Sequence, residues 1–247
     1  MNIVITMAGF GTRFKQAGYT MPKYQIEAHG KTLFEWSMLS LDGYRQDGNR
    51  YIFIVRREDN AVEFISQQCN KLEFPDFFIL ELNNPTDGQA TTTMLAKSYW
   101  VQDAPLMIYN IDTFVEPGEM TLADIRGDGF IPCFHADGDH WSFVELGAGG
   151  KAVQVSEKRR ISDNCTLGAY YFKSCTLYDE LYTEYYKDKL NIEKGEKYVA
   201  PLYNALIKRG GNIYISIIDS AKVHVLGTPE ELNRFKERYS LSYREKM

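Results

Sequence analysis

Two glycines and two basic residues near the start of the chain have the types and spacing of a phosphate-binding site. Gly9 and Gly11 follow the short apolar run Ile3–Thr6, which predicts a strand. Glycines directly after the first strand of an α/β sheet let backbone N–H groups turn inward and bind an anion. Arg13 and Lys23 add fixed cations beside that loop, as polyphosphate binding requires. The combination favours a polyphosphate ligand, and an ordinary glycine turn beside two solvated cations is the alternative.

The same glycines fit a dinucleotide-binding loop poorly. That loop has a third glycine near position 14, where this chain has Phe14, and an acidic residue after the second strand, where it has Arg56 and Arg57. A nicotinamide-dependent oxidoreductase would also leave Arg13 and Lys23 without a role. Such an oxidoreductase is therefore an alternative from a different enzyme class.

Short apolar runs that predict strands alternate with helical patterns over the first 112 residues. The predicted strands are Ile3–Thr6, Tyr51–Val55, Phe77–Leu80, Leu106–Tyr109, Phe130–Phe134, Ser142–Leu146, Ala152–Val155, Thr166–Phe172, Ile213–Ile217 and Lys222–Leu226. The alternation predicts a doubly wound sheet. Turn clusters between the closer strands from 130 to 172 predict an antiparallel insertion. We therefore predict an α/β fold with a Rossmann-like mixed, mostly parallel sheet flanked by helices.

Four segments carry helical patterns. The predicted helices run from Thr32 to about Asp42, from Asp59 to Cys69, from Val199 to the glycines at 210 and 211, and from Thr228 past Tyr239. Thr32 and Glu35 have the spacing of a capping box. Thr228, Pro229 and Glu231 follow the order of a cap, a first-turn proline and a glutamate at the third helical position. The chain has no linker or internal repeat, which predicts one domain over 1–247.

Composition limits the class of protein. The formal net charge of the 247 residues is −5, which argues against nucleic acid as the main partner. The apolar run at the N-terminus is too short for a spanning helix and lacks the features of a signal peptide, so we expect no membrane association. The four cysteines and four histidines are scattered without metal-ligand spacing. This pattern argues against a zinc site and predicts reduced thiols in a cytoplasmic protein.

The N-terminal motif and several later segments together resemble the sugar-phosphate nucleotidyltransferases, also called nucleoside-diphosphate-sugar pyrophosphorylases. The first motif is Ala8-Gly9-Phe10-Gly11-Thr12-Arg13, followed after eight residues by Pro22-Lys23. The later segments that match in type and order are Asn83–Gly88, Asn110–Asp112, Val155–Lys158, Gly168–Phe172, Gly195-Glu196 and Gly227–Leu232. The resemblance covers nearly the whole chain, and the specificity lies in the set rather than in any one motif.

The resemblance implies a role for each segment. The residues expected to bind the nucleotide are Ala8, Gly9, Gly11, Thr12, Asn83 and Gly88. The residues expected to be catalytic are Arg13, Lys23, Asp112 and Lys158, and those expected to bind the acceptor are Glu157, Lys158 and Gly168. Asp112 is expected to bind Mg²⁺, which prefers oxygen ligands. The Asn83 amide would contact the base, but an amide both donates and accepts, so it does not select one base.

The activity that the resemblance implies is Mg²⁺-dependent transfer of a nucleoside monophosphate from a nucleoside triphosphate to a sugar 1-phosphate. Pyrophosphate is released, and surface polysaccharide synthesis is the implied context. The second pKa of a phosphate monoester is about 6, so the acceptor is mostly dianionic at neutral pH and needs no general base. This agrees with a sequence without a recognisable Ser/His/Asp or Cys/His constellation. Positioning and charge stabilisation should then supply the catalysis.

Three other functions stay open at this point. A cytidylyltransferase that acts on a non-sugar phosphate such as phosphocholine is the closest alternative. The oxidoreductase is the second, and a catalytically silent nucleotide-binding module is the third. The nucleoside triphosphate, the acceptor and the oligomeric state are not fixed by the sequence, which is compatible with a homo-oligomer.

One departure from the family concerns the metal. The family commonly has an aspartate two positions before its Gly-Thr pair, and this chain has Val225 there. We expect Asp112 to hold the metal with phosphate oxygens and water, unless a carboxylate such as Asp219 or Glu230 replaces the missing ligand. We further expect a minimal catalytic domain, with a nucleotide-binding half over 1–112 and an acceptor-binding half, ending in a helix, over 113–247. The antiparallel insertion belongs to the acceptor half.

Overall fold

A ten-stranded mixed sheet forms the centre of the computed structural model, which describes residues 1–46 and 48–244. The strands are β1 (Asn2–Thr6), β2 (Glu27–Ala28), β3 (Lys31–Thr32), β4 (Arg50–Arg56), β5 (Phe77–Leu82), β6 (Leu106–Asn110), β7 (Thr113–Val115), β8 (Gly129–His135), β9 (Ser142–Leu146), β10 (Ala152–Glu157), β11 (Asn164–Thr166), β12 (Ala169–Phe172), β13 (Ile213–Ile217) and β14 (Val223–Val225). The helices are α1 (Thr12–Gln16), α2 (Leu33–Leu39), α3 (Val62–Lys71), α4 (Gln89–Leu95), α5 (Cys175–Tyr185), α6 (Leu202–Lys208) and α7 (Pro229–Arg244).

The order of the strands confirms the predicted fold class. The sheet runs β10-β9-β11-β8-β12-β6-β1-β4-β5, and β13 pairs with β8 beside this path. Strands β5, β4, β1 and β6 are mutually parallel, and β12 runs antiparallel between β6 and β8. With β8, β13 and β9 added to the four parallel strands, seven of the ten point the same way. The antiparallel insertion consists of β9, β10 and β11.

Apolar residues cover both faces of the parallel strands. Ile3 and Ile5 of β1 pack in the core beneath α2 and α3, whereas Val4 packs in the core beneath α4, α5 and α6. Successive side chains of a strand point to opposite faces, so a strand with helices on both sides is apolar throughout. A third core, which contains Phe14, Phe114 and Phe235, holds α1 and α7 against β7.

A short ribbon outside the main sheet brings the C-terminal part of the chain to the end of β6. Strand β14 pairs antiparallel with β7, and Val225 lies opposite Thr113. The N–H of Leu226 donates to the carbonyl oxygen of Asp112 at 2.8 Å. These bonds place the turn before α7 beside Asp112.

Several element boundaries differ from the predictions for local reasons. Helix α3 begins at Val62 rather than Asp59, because Asn60 has a φ of +47° and interrupts the helical backbone. The strand predicted over Thr166–Phe172 is divided at Gly168, which has a φ of +87°. The capping box of Thr32 and Glu35 is present in α2 as predicted. No helix in the described part of the chain is long and apolar enough to span a membrane.

Candidate active site

A cleft of about 610 Å³ opens where β1 and β6 end. The chain leaves β1 toward β4 on one side and later returns to β6 on the other, so these neighbouring strands form a topological switch point. Open α/β sheets bind their ligands in the crevice at the carboxyl ends of such strands. We call the end around the glycine loop, where the sequence predicts phosphate binding, the phosphate end, and we call the end beside β9 and β10, where it predicts acceptor binding, the acceptor end.

The loop after β1 forms the wall of the phosphate end. Its residues from Ala8 to Arg13 all line the cleft. Gly11 has a φ of +61° and precedes helix α1. This left-handed backbone is strained for residues other than glycine. The glycine therefore allows the chain to turn from β1 directly into α1 with Arg13 at the cleft.

Lys23 and Asp112 form an ion pair at the same end. The Lys23 Nζ lies 2.6 Å from the Asp112 Oδ2, and the two side chains are 16% and 29% exposed. Burial raises the pKa of Asp112, but the charge and hydrogen bond of Lys23 outweigh it, with a smaller contribution from Arg13, so this pKa lies below its usual value. The carboxylate is therefore ionised at neutral pH and able to bind a cation.

Lys23 is held by the residue that follows it. Both lie in a short turn after Pro22, and Tyr24 is buried beneath the turn. The Tyr24 hydroxyl donates to Asp59 Oδ2 at 3.2 Å, and Asp59 is paired with the buried Arg56. This chain of contacts fixes the backbone from which the Lys23 side chain enters the cleft.

Glu231 faces Asp112 across Gly227. A Cβ atom at Gly227 would stand 3.3 Å from Asp112 Oδ2 and 3.5 Å from Glu231 Oε2. Val225 and Glu231 also line the cleft. The two carboxylates that the sequence offered as replacements lie elsewhere: Glu230 is exposed, and Asp219 accepts a hydrogen bond from the N–H of Ala221.

Amide side chains line the wall beside β1 and β6. Gln89 Nε2 donates to Thr6 Oγ1 at 3.0 Å and also to Asn110 Oδ1. Asn83 is exposed and is not among the residues that line the cleft. Its expected contact with the base stays a prediction, and Gln89 and Asn110 are the amide side chains that the described structure places in the wall.

Gly88 is required by a close backbone contact. Its φ is +135°, and a Cβ there would stand 2.4 Å from the carbonyl oxygen of Lys197. The N–H of Lys197 donates to the carbonyl oxygen of Asp87, and its ammonium pairs with the Asp87 carboxylate at 2.7 Å. The loop before α4 is thus attached to the segment that carries Glu196, which lines the cleft.

A buried carboxylate marks the acceptor end. Glu157 is 8% exposed and accepts a hydrogen bond from Ser142 Oγ. Burial raises the pKa of Glu157 above its usual value, and the Ser142 bond and the charge of Lys158 offset only part of this effect. A ligand that donates hydrogen bonds to this carboxylate would replace part of the lost hydration.

Lys158 contacts a residue that lines the acceptor end. Its Nζ donates to the Tyr198 hydroxyl and stands 4.5 Å from the centre of that ring. Tyr198 lines the cleft, whereas Lys158 is not among the lining residues. Lys158 therefore contacts the lining of the cleft through Tyr198.

Gly168 allows the start of β12 to lie against the end of β6. Its φ is +87°, and a Cβ there would stand 2.4 Å from Asn110 Nδ2. The N–H of Asn110 donates to the carbonyl oxygen of Gly168 at 3.0 Å. Only glycine lets β12 pass this close to the end of β6, next to Asp112.

The cleft contains most of the residues that the sequence singled out. The predicted residues that line it are Ala8, Gly9, Gly11, Thr12, Arg13, Lys23, Gly88, Asp112, Glu157 and Gly168. Lining residues that the sequence analysis did not select include Thr6, Gln89, Asn110, His140, Trp141, Glu196, Tyr198 and Glu231. Gln89 follows the Asn83–Gly88 motif, and Glu231 lies within the Gly227–Leu232 motif. The motifs therefore indicate these positions, but a motif does not show which way its side chains point.

The carboxylates at the phosphate end are few. Among the described residues, no group of three or more histidine, cysteine, aspartate or glutamate side chains is arranged to hold a metal. A metal at Asp112 would therefore take oxygen ligands from other sources as well. Mg²⁺ accepts this arrangement, since it is commonly bound by one or two carboxylates together with substrate phosphates and water.

Comparisons with known proteins found similar chains among the solved structures. No family model and no curated protein matches the chain. Among solved structures, it is similar to the nucleoside-diphosphate-sugar pyrophosphorylase from Vibrio cholerae RC9, with 39% identity and a TM-score of 0.89. That match covers 96% of this chain and all of the other.

Two further solved structures share the fold at low sequence identity. One is the inositol-1-phosphate CTP transferase from T. maritima, with 14% identity, a TM-score of 0.72 and 96% of each chain covered. The other is described as a glucose-1-phosphate thymidylyltransferase from Bacillus anthracis, with 15% identity, a TM-score of 0.77 and coverages of 96% and 94%. At these identities the likeness concerns the fold alone.

Proposed function

The chain belongs to the nucleoside-diphosphate-sugar pyrophosphorylase family and is a nucleotidyltransferase, and from this premise we propose that it joins a nucleoside monophosphate to a sugar 1-phosphate. The donor is a nucleoside triphosphate, and pyrophosphate is released. One observation carries the proposal: a single cleft holds the glycine loop with the Lys23–Asp112 pair at one end and the buried Glu157 at the other. Family membership also decides against the NAD-dependent oxidoreductase.

The reaction requires two anions to meet in the cleft. An oxygen of the sugar phosphate attacks the α-phosphorus, the new P–O bond forms, and the bond to the β-phosphate oxygen breaks. The acceptor is already a dianion at neutral pH, so no proton has to be removed. Arg13 and Lys23 then balance the charge that develops on the departing pyrophosphate.

We further propose that Asp112 binds Mg²⁺. Its carboxylate is ionised at neutral pH, and the absence of a side chain at Gly227 leaves space beside Oδ2. When bound, Mg²⁺ supplies positive charge next to the α-phosphate. Lys23 shares the same carboxylate, so its ammonium is held within reach of the triphosphate.

The acceptor end is proposed to bind the sugar phosphate. Glu157 accepts hydrogen bonds from hydroxyl groups of the acceptor, and Lys158 acts on its phosphate after its contact with Tyr198 rearranges. Residues 1–112 would thus mainly bind the nucleotide and 113–247 the acceptor. Glu231 belongs to the second half and lies at the phosphate end. We propose surface polysaccharide synthesis as the use of the product.

Pyrophosphate release over a matrix of triphosphates and acceptors tests the proposal. Each of the common nucleoside triphosphates is combined with Mg²⁺ and a panel of sugar 1-phosphates. We expect release with one preferred pair and none when either substrate is omitted. If no pair of a triphosphate and a sugar 1-phosphate supports turnover, the proposed sugar-phosphate function is wrong.

Phosphocholine belongs in the same panel for a specific reason. Glu157 and Glu196 line the acceptor end together with the rings of Trp141 and Tyr198. Carboxylates and aromatic faces together are able to hold a cationic head group. Turnover with CTP and phosphocholine but with no sugar phosphate would establish the non-sugar cytidylyltransferase instead.

A further inference from the structure

We propose that Glu231 supplies the second protein carboxylate of the magnesium site, in place of the aspartate that the family commonly has where this chain has Val225. The inference rests on the proposed function, because it concerns the metal that this function requires. A valine side chain has no oxygen atom that could bind Mg²⁺. A glutamate six residues later, in the first turn of α7, reaches the same gap.

The geometry places both carboxylates at one gap. Asp112 Oδ2 and Glu231 Oε2 each lie within 3.5 Å of the position that a Cβ of Gly227 would occupy. A carboxylate oxygen binds Mg²⁺ at about 2.0–2.1 Å, so the two oxygens must draw together around the ion. The missing side chain at Gly227 keeps the gap open.

The Glu231 carboxylate does not make the hydrogen bond that is common for a glutamate at its position in a helix. It stands at the third residue of α7, where a glutamate often accepts a hydrogen bond from the N–H of the capping residue. Here the backbone N–H of Glu231 donates to Thr228 Oγ1 at 3.1 Å. In the described part of the chain, the Glu231 carboxylate has no hydrogen bond or ion pair in return.

Helix α7 fixes the backbone from which the Glu231 side chain extends. Leu232 and Phe235 are buried against Phe14 and Phe114, so the first turns of the helix are packed on α1 and β7. The bond from Leu226 N–H to the Asp112 carbonyl fixes the turn before the helix. A side chain on such a packed element keeps its position better than one on a free loop.

Charge balance also favours a cation in the gap. Asp112 and Glu231 bring two negative charges to it, and Lys23 pairs with only one of them. Two carboxylates that share a site repel each other unless a cation or a proton separates them. A divalent cation neutralises the second carboxylate and leaves Lys23 and Arg13 for the phosphates.

The test measures metal binding rather than turnover. Mn²⁺ is titrated into the protein saturated with a non-reacting α,β-methylene triphosphate, and bound Mn²⁺ is counted by electron paramagnetic resonance. We expect Glu231→Gln to lower the Mn²⁺ affinity of this complex at least tenfold, a loss that even outer-shell changes at metal sites can reach. Glu230→Gln, with the same charge change at the neighbouring exposed carboxylate, is the matched control and should change it less than twofold. Equal affinities for Glu231→Gln and the parent protein would overturn the proposal.

A second variant tests the replacement itself. In the double variant Val225→Asp/Glu231→Gln, a carboxylate returns at the family's usual position, and we expect most of the lost Mn²⁺ affinity to be recovered. If neither variant folds, the anomalous signal of Mn²⁺ in crystals of the parent complex decides. A Glu231 oxygen coordinated to the metal supports the proposal, and coordination by Asp112 as the only protein ligand refutes it.

The failures of the two proposals are distinguishable. If the protein binds Mn²⁺ through Glu231 but releases no pyrophosphate with any substrate pair, the proposed function fails and the assignment of Glu231 stands. If the parent protein releases pyrophosphate and Glu231→Gln binds Mn²⁺ as tightly as the parent does, the proposed function stands and the assignment of Glu231 fails.

Discussion

The Lys23 Nζ lies 2.6 Å from Asp112 Oδ2, so the cation expected at the triphosphate and the carboxylate expected at the metal form one ion pair. The two residues are 89 positions apart in the chain and are joined at the switch point of the sheet. Asp112 Oδ2 is also the oxygen beside Gly227, where we propose that Mg²⁺ binds. Substitution of either residue should therefore change the electrostatic environment of the other.

The pKa of Asp112 should depend on Lys23. Lys23→Met leaves the carboxyl partly buried but removes the charge that outweighs burial, so we expect its pKa to rise above the ordinary value of 3.8. In the parent protein, the pKa of Asp112 is lower in the folded state than in the unfolded state. The ion pair therefore stabilises the fold at pH values above the unfolded-state pKa. This stabilisation is lost as the pH falls through the folded-state pKa. Carboxyl ¹³C chemical shifts in the metal-free protein measure the change. Lys197→Met, which should raise the pKa of Asp87, must leave that of Asp112 unchanged.

Arg13 should act on the triphosphate. Arg13→Ala removes a fixed charge from the phosphate end, and the loss of one preorganised charge lowers turnover about 10²-fold or more. Steady-state kinetics with the preferred triphosphate measure it. Arg234→Ala, an exposed arginine on α7 away from the cleft, is the control. A rate for Arg13→Ala within threefold of the control would show that the glycine loop does not need this cation.

Lys158 should act on the acceptor. We expect Lys158→Ala to raise the KM for the sugar phosphate, with the affinity for triphosphate alone nearly unchanged, because the residue lies beside Glu157 and Tyr198. Calorimetric titration with the triphosphate separates the two effects. Arg159→Ala changes the charge of the next residue and should leave both constants close to the parent values. A loss of triphosphate affinity as large as the loss for the acceptor would move Lys158 to the nucleotide site.

Gly88 should be needed for stability. Gly88→Ala places a Cβ 2.4 Å from the Lys197 carbonyl oxygen on a backbone with a φ of +135°. We expect a decrease of about 1–3 kcal/mol in the free energy of unfolding, the cost of a strained backbone position. Denaturant titration measures it. Gly9→Ala, with no atom near the added Cβ, should be neutral in the same titration, and equal stability of the two variants would contradict the close contact.

Much of the fold could be predicted from the sequence, because the apolar runs and capping residues are local signals. The capping box at Thr32 and the helix that begins at Pro229 are examples. The start of α3 was harder to predict, since the left-handed backbone at Asn60 carries no periodic signal. The break at Gly168 depends on Asn110, which is distant in sequence.

The site was predictable as a set of motifs but not as a set of contacts. Asn83 was selected from its motif, yet its exposure depends on the path of the loop after β5. Lys158 was selected beside Glu157, and its bond to Tyr198 joins residues 40 positions apart. Glu231 carried the pattern of a helix-capping glutamate, so only the position of Gly227 between it and Asp112 indicates a second role.

The proposed function requires that a phosphate oxygen of the acceptor attacks the α-phosphorus of the triphosphate. A sugar 1-phosphate with ¹⁸O in its non-bridging phosphate oxygens is incubated with the preferred triphosphate and Mg²⁺, and the product is analysed by ³¹P NMR. This attack predicts an ¹⁸O isotope shift on both phosphorus atoms of the product, because the labelled oxygen becomes the bridge, together with unlabelled pyrophosphate. A nucleotide phosphorus without an isotope shift, or label in the pyrophosphate, would contradict it.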